Sequence, residues 1–211
     1  KAKEIEGELK YAVRRQEETI YHRQLKMTSP ALNRFRDLVL YNLEAGQAVL
    51  TDNNDIRIYT DGKEKFHALI EEMKRAKKYI HVQYYIIRND EVWQDIEKVL
   101  IEKAHEGVEV RVLFDSMGCR TMHKRDWDRL KCEGIRVAEF FPAILGQLQM
   151  RVNYRNHRKI VVIDGKVGFV GGFNVGREYI GKDEKFGYWR DTHLRMEGPA
   201  VYMPVSYTHL R

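Results

Sequence analysis

Between residues 48 and 197 the hydrophobic positions switch repeatedly between a two-residue period and one of about 3.6 residues. Val49-Leu50 and residues 56–59 read as short strands around a turn at 52–55. Phe66, Leu69, Ile70, Met73 and Ala76 recur at helical spacing, which predicts an amphipathic helix over 62–77. Residues 79–87 are aromatic and β-branched and predict a long strand. Val92, Ile96, Leu100 and Ala104 then mark a helix over 91–106, with Gly107 as its cap. A strand over 108–115, a helix over 125–132 and a strand over 135–140 follow. The apolar stretch 141–150 has no clear period and is expected to be a covered connection. Residues 160–163 are short, β-branched and closed by Asp164-Gly165, so they predict a strand entering a tight hairpin whose return is 167–170. A last strand is expected over 189–197.

The first 45 residues differ in kind. Residues 3–23 are highly charged and carry only scattered apolar positions (Ile5, Leu9, Val13, Ile20), a weak helical pattern. Ser29-Pro30 interrupts it, and 31–44 reads as a second helix closed near Gly46. Acids and bases nearly balance there, so the segment is expected to be a linker or juxtamembrane helix rather than a polybasic lipid anchor.

With 211 residues and 43% hydrophobic content, the chain can build one well-packed domain of about 150 residues plus flanks. The net charge is +6, and its location changes the picture. Nine basic and four acidic side chains fall between Arg151 and Arg190, so nearly all the excess lies there. That concentration suits an anionic substrate. Cys119 and Cys132 are too few for a disulfide scaffold and fit a reducing compartment. No Cys/His spacing suggests zinc, no apolar run approaches the roughly 20 residues that cross a bilayer, and no signal-peptide pattern is visible.

The candidate chemistry sits in the same basic window. His157 and Lys159 are two apart, so in extended chain they share a face, across a hairpin from Gly171-Gly172. An imidazole can attack phosphorus, an ammonium can hold a non-bridging oxygen, and glycines let backbone N–H groups come close. Asp164, before Gly165, first reads as a turn residue. Asp115 ends a strand where α/β sheets place functional loops; lining the site or bracing the loop fits it equally. His81, inside a strand, reads as a satisfied core histidine.

His157, Lys159, Asp164, Gly171, Gly172 and Asn174 together spell H-x-K-x4-D-x6-G-G-x-N, which resembles the signature of the phospholipase D superfamily. The runs Asn153 to Lys159, Gly171 to Tyr179 and Trp189 to His193 are similar to those of bacterial cardiolipin synthases. The likeness covers about residues 46 to 202, the first of two catalytic repeats in such enzymes. It implies a phospholipase D-like α/β fold, a mixed β-sheet flanked by helices on both faces. It also implies catalytic roles for His157, Lys159 and Asp164. Asn174, Gly171 and Gly172 are then expected to bind the phosphate or support the site. Asp191 is expected to be the acid that holds the second nitrogen of the histidine.

The domain reading is a linker helix segment over 1–45, a first catalytic repeat over 46–204 and a non-native tail over 205–211. The activity implied is cardiolipin synthesis from two phosphatidylglycerol molecules through a phosphatidyl-histidine, with no metal or other cofactor. The implied partners are phosphatidylglycerol, the membrane surface and a second repeat not in this sequence; no nucleic acid is expected. The implied location is the bacterial cell membrane, with spanning helices upstream and the catalytic domain on the cytoplasmic side. A phosphodiesterase or nuclease of the same superfamily, discharged by water, is the alternative, and a non-enzymatic membrane-binding fragment is a third reading.

Overall fold

A computed structural model describes residues 11, 13–16, 18, 34–46, 48–140 and 156–202. The expectations for 141–150 and 205–211 fall outside them. The chain divides into two compact units, with the boundary between Asn54 and Asp55.

In the first unit, α1 (Arg36–Gly46) turns Leu43 inward, against Val13, Val39, Leu40 and Val49. Val49-Leu50 does not form the expected strand. The side-chain amide of Gln16 takes both backbone groups of Leu50: its nitrogen donates to the carbonyl at 2.8 Å and its oxygen accepts the N–H at 2.7 Å. A side chain thus supplies what a neighbouring strand would have supplied.

The second unit is built on one seven-stranded sheet. Its strands are β1 (Asp55–Asp61), β2 (Tyr79–Tyr84), β3 (Glu109–Asp115), β4 (Arg136–Phe140), β5 (Ile160–Ile163), β6 (Val167–Gly171) and β7 (Arg190–Glu197). Their order is β1-β7-β6-β5-β2-β3-β4. β2, β3 and β4 run parallel, as helical crossovers require, and every other pairing is antiparallel. The mixed sheet that the resemblance implies is the one that forms; of the helices expected on both faces, the α-helices of this unit pack on one, and a 3-10 turn lies on the other. The strand read as 79–87 stops at Tyr84, and Ile87 then makes a single bridge to Val175.

Three helices connect the parallel strands: α2 (Gly62–Lys74), α3 (Glu91–His105) and α4 (Lys124–Cys132). Asp61 and Asp90 cap α2 and α3 by accepting N–H groups of their first turns. All three bury their apolar stripes on one face of the sheet, where Phe66, Leu69, Trp93, Ile96 and Leu130 meet Val82, Val112, Val161 and Phe169. Phe114 stacks on Trp127 with centroids 3.9 Å apart. On the other face, a smaller cluster of Ile160, Val162 and Met196 lies under Val201, from the 3-10 turn Pro199–Val201.

Candidate functional site

Strand direction decides which residues can meet. The C-terminal ends of β1, β2, β3, β4 and β6 lie at the same edge of the sheet as the N-terminal ends of β5 and β7. That edge gathers Tyr85, Asp115, His157, Lys159, Gly171, Gly172, Asn174, Asp191 and His193. The opposite edge holds the hairpin Asp164 to Lys166 and the starts of β2 and β3.

At the gathered edge, Asp115 fixes the approach to β5. Its Oδ1 accepts the N–H groups of Met117 and Gly118, and its Oδ2 accepts that of Asn156 at 3.2 Å. Its role is therefore to brace the loop and tether the residue before His157. The His157 side chain is exposed, with its ring 4.7 Å from that of Tyr85. Lys159 is 4% exposed, and its Nζ lies 3.0 and 3.1 Å from the two ring nitrogens of His157 and donates to the His157 carbonyl at 2.9 Å. Burial, then the adjacent ammonium, hold the imidazole below its ordinary value, with Asp115 opposing. Burial brings the Lys159 ammonium down to about 8, against the pull of Asp191. At neutral pH this is an unprotonated imidazole beside a cation, a nucleophile next to an anion holder.

The two glycines support the site by the room they leave. A Cβ on Gly172 would lie 1.9 Å from the Asp191 carboxylate, and one on Gly171 would lie 2.7 Å from His193 Nδ1. Both glycines thus leave room for side chains of β7. Asp191 and His193, two apart on that strand, reach over them toward Lys159. Asp191 does not bond His157 as expected: its Oδ1 accepts the Thr192 N–H at 2.7 Å, and the hydrogen-bond partner of the His157 ring among the described residues is Lys159. The carboxylate serves the lysine instead.

Asn174 is buried with both ends of its amide in use. It accepts the Ile86 N–H at 3.1 Å and donates to the Tyr179 hydroxyl at 3.0 Å, holding the loop after β6 against the end of β2. Its nitrogen carries a second hydrogen for a ligand.

Asp164, placed in the catalytic set by the resemblance and read from its own Asp-Gly context as a turn residue, lies in a turn away from His157 and Lys159. It occupies the hairpin at the far end of β5, roughly 16 Å along the strand from Lys159. Its φ of 54° is the left-handed conformation that aspartate tolerates in a turn. Its carboxylate accepts the N–H groups of Lys77, Lys78 and Tyr79 at 2.8, 2.7 and 2.9 Å, anchoring the hairpin to the start of β2. Burial alone would raise this carboxyl, and the three N–H donors hold it below the ordinary value.

Sequence reasoning missed two residues beside the site. His193 is fully buried, and neither ring nitrogen has a partner among the described residues. Lys65 is also fully buried, donates to the Tyr84 hydroxyl at 2.8 Å and lies 3.8 Å from the centre of the Phe66 ring. A signal existed for each. His193 follows Asp191 by two in a strand, and Lys65 precedes Leu69 and Met73 by four and eight in a helix. Among the described residues no group of His, Cys, Asp or Glu side chains is arranged to hold a metal ion. The edge is a set of donors suited to an anion.

A family model described as "Cardiolipin synthase, PLD-like domain" matches residues 69–186, more than half of the chain. A cardiolipin synthase of Oceanobacillus iheyensis is 47% identical over 92% of this chain and 40% of its own length. One from Staphylococcus aureus is 52% identical over 80% of this chain and 34% of its own. The chain thus spans about two fifths of the curated relatives it matches. Among solved structures, the phospholipase D family member Nuc from Salmonella typhimurium aligns with a TM-score of 0.51 and 16% identity, over 72% of this chain and 90% of that one. That likeness shows the fold. The chain belongs to the phospholipase D-like domain family of cardiolipin synthases.

Proposed function

We propose that this chain supplies one of two catalytic repeats, over residues 46–204, of an enzyme that joins two phosphatidylglycerol molecules into cardiolipin and glycerol. The observation that carries the proposal is the exposed His157 ring with the Lys159 Nζ 3.0 and 3.1 Å from its two nitrogens. The identities with curated cardiolipin synthases support the substrate. A ring nitrogen of His157 attacks the phosphorus of the first phosphatidylglycerol, and the bond from phosphorus to the glycerol oxygen breaks. Glycerol leaves with a proton from a second histidine, supplied by the other repeat. The hydroxyl of a second phosphatidylglycerol then gives its proton to that histidine and attacks phosphorus, and the phosphorus–nitrogen bond breaks. Acid–base help of this kind is typically worth about 10²–10⁴-fold. Lys159 holds a non-bridging oxygen throughout, with Asp191 and Asn174 supporting the site.

No helix among the described residues is long and apolar enough to cross a membrane. In this reading the site meets its lipid at the cytoplasmic surface, and spanning helices upstream hold the enzyme there. The test is labelling of a full-length enzyme carrying this sequence, quenched rapidly in SDS without acid so that the acid-labile phosphorus–nitrogen bond survives, with phosphatidylglycerol radiolabelled in its phosphate. Label on His157 is the expected result, and steady turnover of His157→Ala would refute the assignment. The 211-residue chain by itself, with one histidine of the pair, should form cardiolipin negligibly.

A further inference from the structure

His193 has no role in the reaction just described, yet its placement is specific. The β6–β7 register sets it opposite Gly171, and the β1–β7 register sets it opposite Tyr59. Continuing β5 by one residue puts Lys159 opposite Gly171 on the other side, with Tyr84 of β2 beyond it. One row across the helix-covered face therefore reads Tyr84, Lys159, Gly171, His193, Tyr59. The glycine is the gap in that row: a Cβ there would lie 2.4 Å from the Thr192 carbonyl oxygen, 2.5 Å from the His193 Cα and 2.7 Å from its Nδ1, so the β7 backbone and the imidazole both come close. Above the row, Lys65 of α2 binds the Tyr84 hydroxyl. The groups facing His193 are thus Lys159 from β5, Lys65 from α2, Tyr84 from β2, Tyr59 from β1 and Asp191 on its own strand. An imidazole with two buried, unpartnered nitrogens is rarely left so without a purpose or an ordered water.

We propose that His193 is a positioning residue for Lys159. Across the gap left by Gly171 its imidazole takes one N–H of the Lys159 ammonium through a single buried water, and fixes the direction of the others toward His157 and the anion it meets. Burial, with the ammonium groups of Lys65 and Lys159, brings the ring down to about 2, so it stays neutral and keeps one nitrogen free to accept. A carboxylate at this position would neutralise Lys159 and compete with the substrate's phosphoryl oxygen; a neutral acceptor orients the cation and leaves its charge available. Asp191, one step nearer the edge, then sets the charge, and His193 sets the geometry. The consequence for phosphatidyl transfer rests on the function proposed above; the contact itself does not.

The test needs no lipid. In the 211-residue chain with labelled histidine and lysine, the ring nitrogens of His193 and the Nζ of Lys159 are followed by nitrogen NMR from pH 6 to 10. The His193 resonances should move with the Lys159 midpoint near 8, since the bond is lost when the ammonium loses its proton. His193→Phe should lower that midpoint by about one pH unit, because it removes an acceptor that favours the charged form. His193→Gln, which restores an acceptor, should return at least half of the shift. Resonances of His193 that stay flat through the Lys159 titration overturn the proposal, and this measurement decides even if the phenylalanine variant fails to fold. Failure of a full-length enzyme to make cardiolipin would remove the proposed function and leave this result standing.

Discussion

The two ends of β5 carry two parts of the same sequence signature and treat them in opposite ways. At the Asp164 end the carboxylate is fully answered: it receives three backbone N–H groups, and the N–H of the same residue donates to the Tyr79 carbonyl at 2.9 Å. At the Lys159 end the answer is partial, with Lys159 and His157 partnering each other and the ring left open to solvent. His157 points to solvent, Lys159 is a buried cation brought down to about 8, and both nitrogens of His193 are unanswered. Satisfied polar groups build a turn, and unsatisfied ones wait for a ligand. Four residues of strand separate the two jobs.

The sharpest way to break this comparison is to remove a residue from each end. His157→Ala in a full-length enzyme should lower turnover by at least about 10⁴-fold, as loss of a nucleophile does elsewhere, with little change in melting temperature. Lys159→Met should cost about 10²–10³-fold, the size of losing one oxyanion-type donor. Gly172→Ala puts a methyl where the Asp191 carboxylate now lies, so it should displace that carboxylate and cost at least tenfold in kcat, read against an unchanged fold by circular dichroism. Asp164→Ala should act on stability instead. It loses three charge-assisted hydrogen bonds and places alanine at a positive φ, together about 3 kcal/mol, which lowers Tm by roughly 6–12 °C in calorimetry. Activity per folded molecule should hold.

The pH dependence sharpens the contrast further. His157 is depressed below its ordinary value, so the attacking ring is lost only as pH falls through that lowered midpoint. Lys159 loses its proton above about 8. The kcat/KM profile should be a bell between those limits, and Lys159→Met should flatten its alkaline side. The stability contribution of Asp164 runs separately: its folded value is depressed, so the contribution is present above the ordinary carboxylate range and lost as pH falls through the lowered one.

Much of the architecture was legible because apolar periodicity maps directly onto burial. The stripe Phe66, Leu69, Met73 sits on the sheet as its spacing implied, and the β-branched run of β5 is buried on both faces. Val49-Leu50 was not legible, since nothing in a two-residue apolar pair shows that a distant glutamine will occupy its backbone. In the site, His157 and Lys159 could be read because their chemistry and spacing agree. Asp164 read as a turn from its Asp-Gly context and as catalytic from the motif, because a linear motif lists residues without saying which end of a strand each one occupies; the turn is where it lies. The glycines were understood for what they lack, while their purpose depended on β7, some twenty residues later. His193 and Lys65 were hidden for a related reason: a polar residue on an apolar stripe looks like an interruption until the fold shows what it faces.

Chemistry belongs to one edge of the sheet and the motif aspartate to the other. Phosphate labelling at pH 7, quenched in SDS without acid and run well below each variant's Tm, tests it with Asp164→Ala and His157→Ala side by side in a full-length enzyme. The expected result is undiminished label per folded molecule in Asp164→Ala and none in His157→Ala. Loss of label from a fully folded Asp164→Ala protein would contradict it.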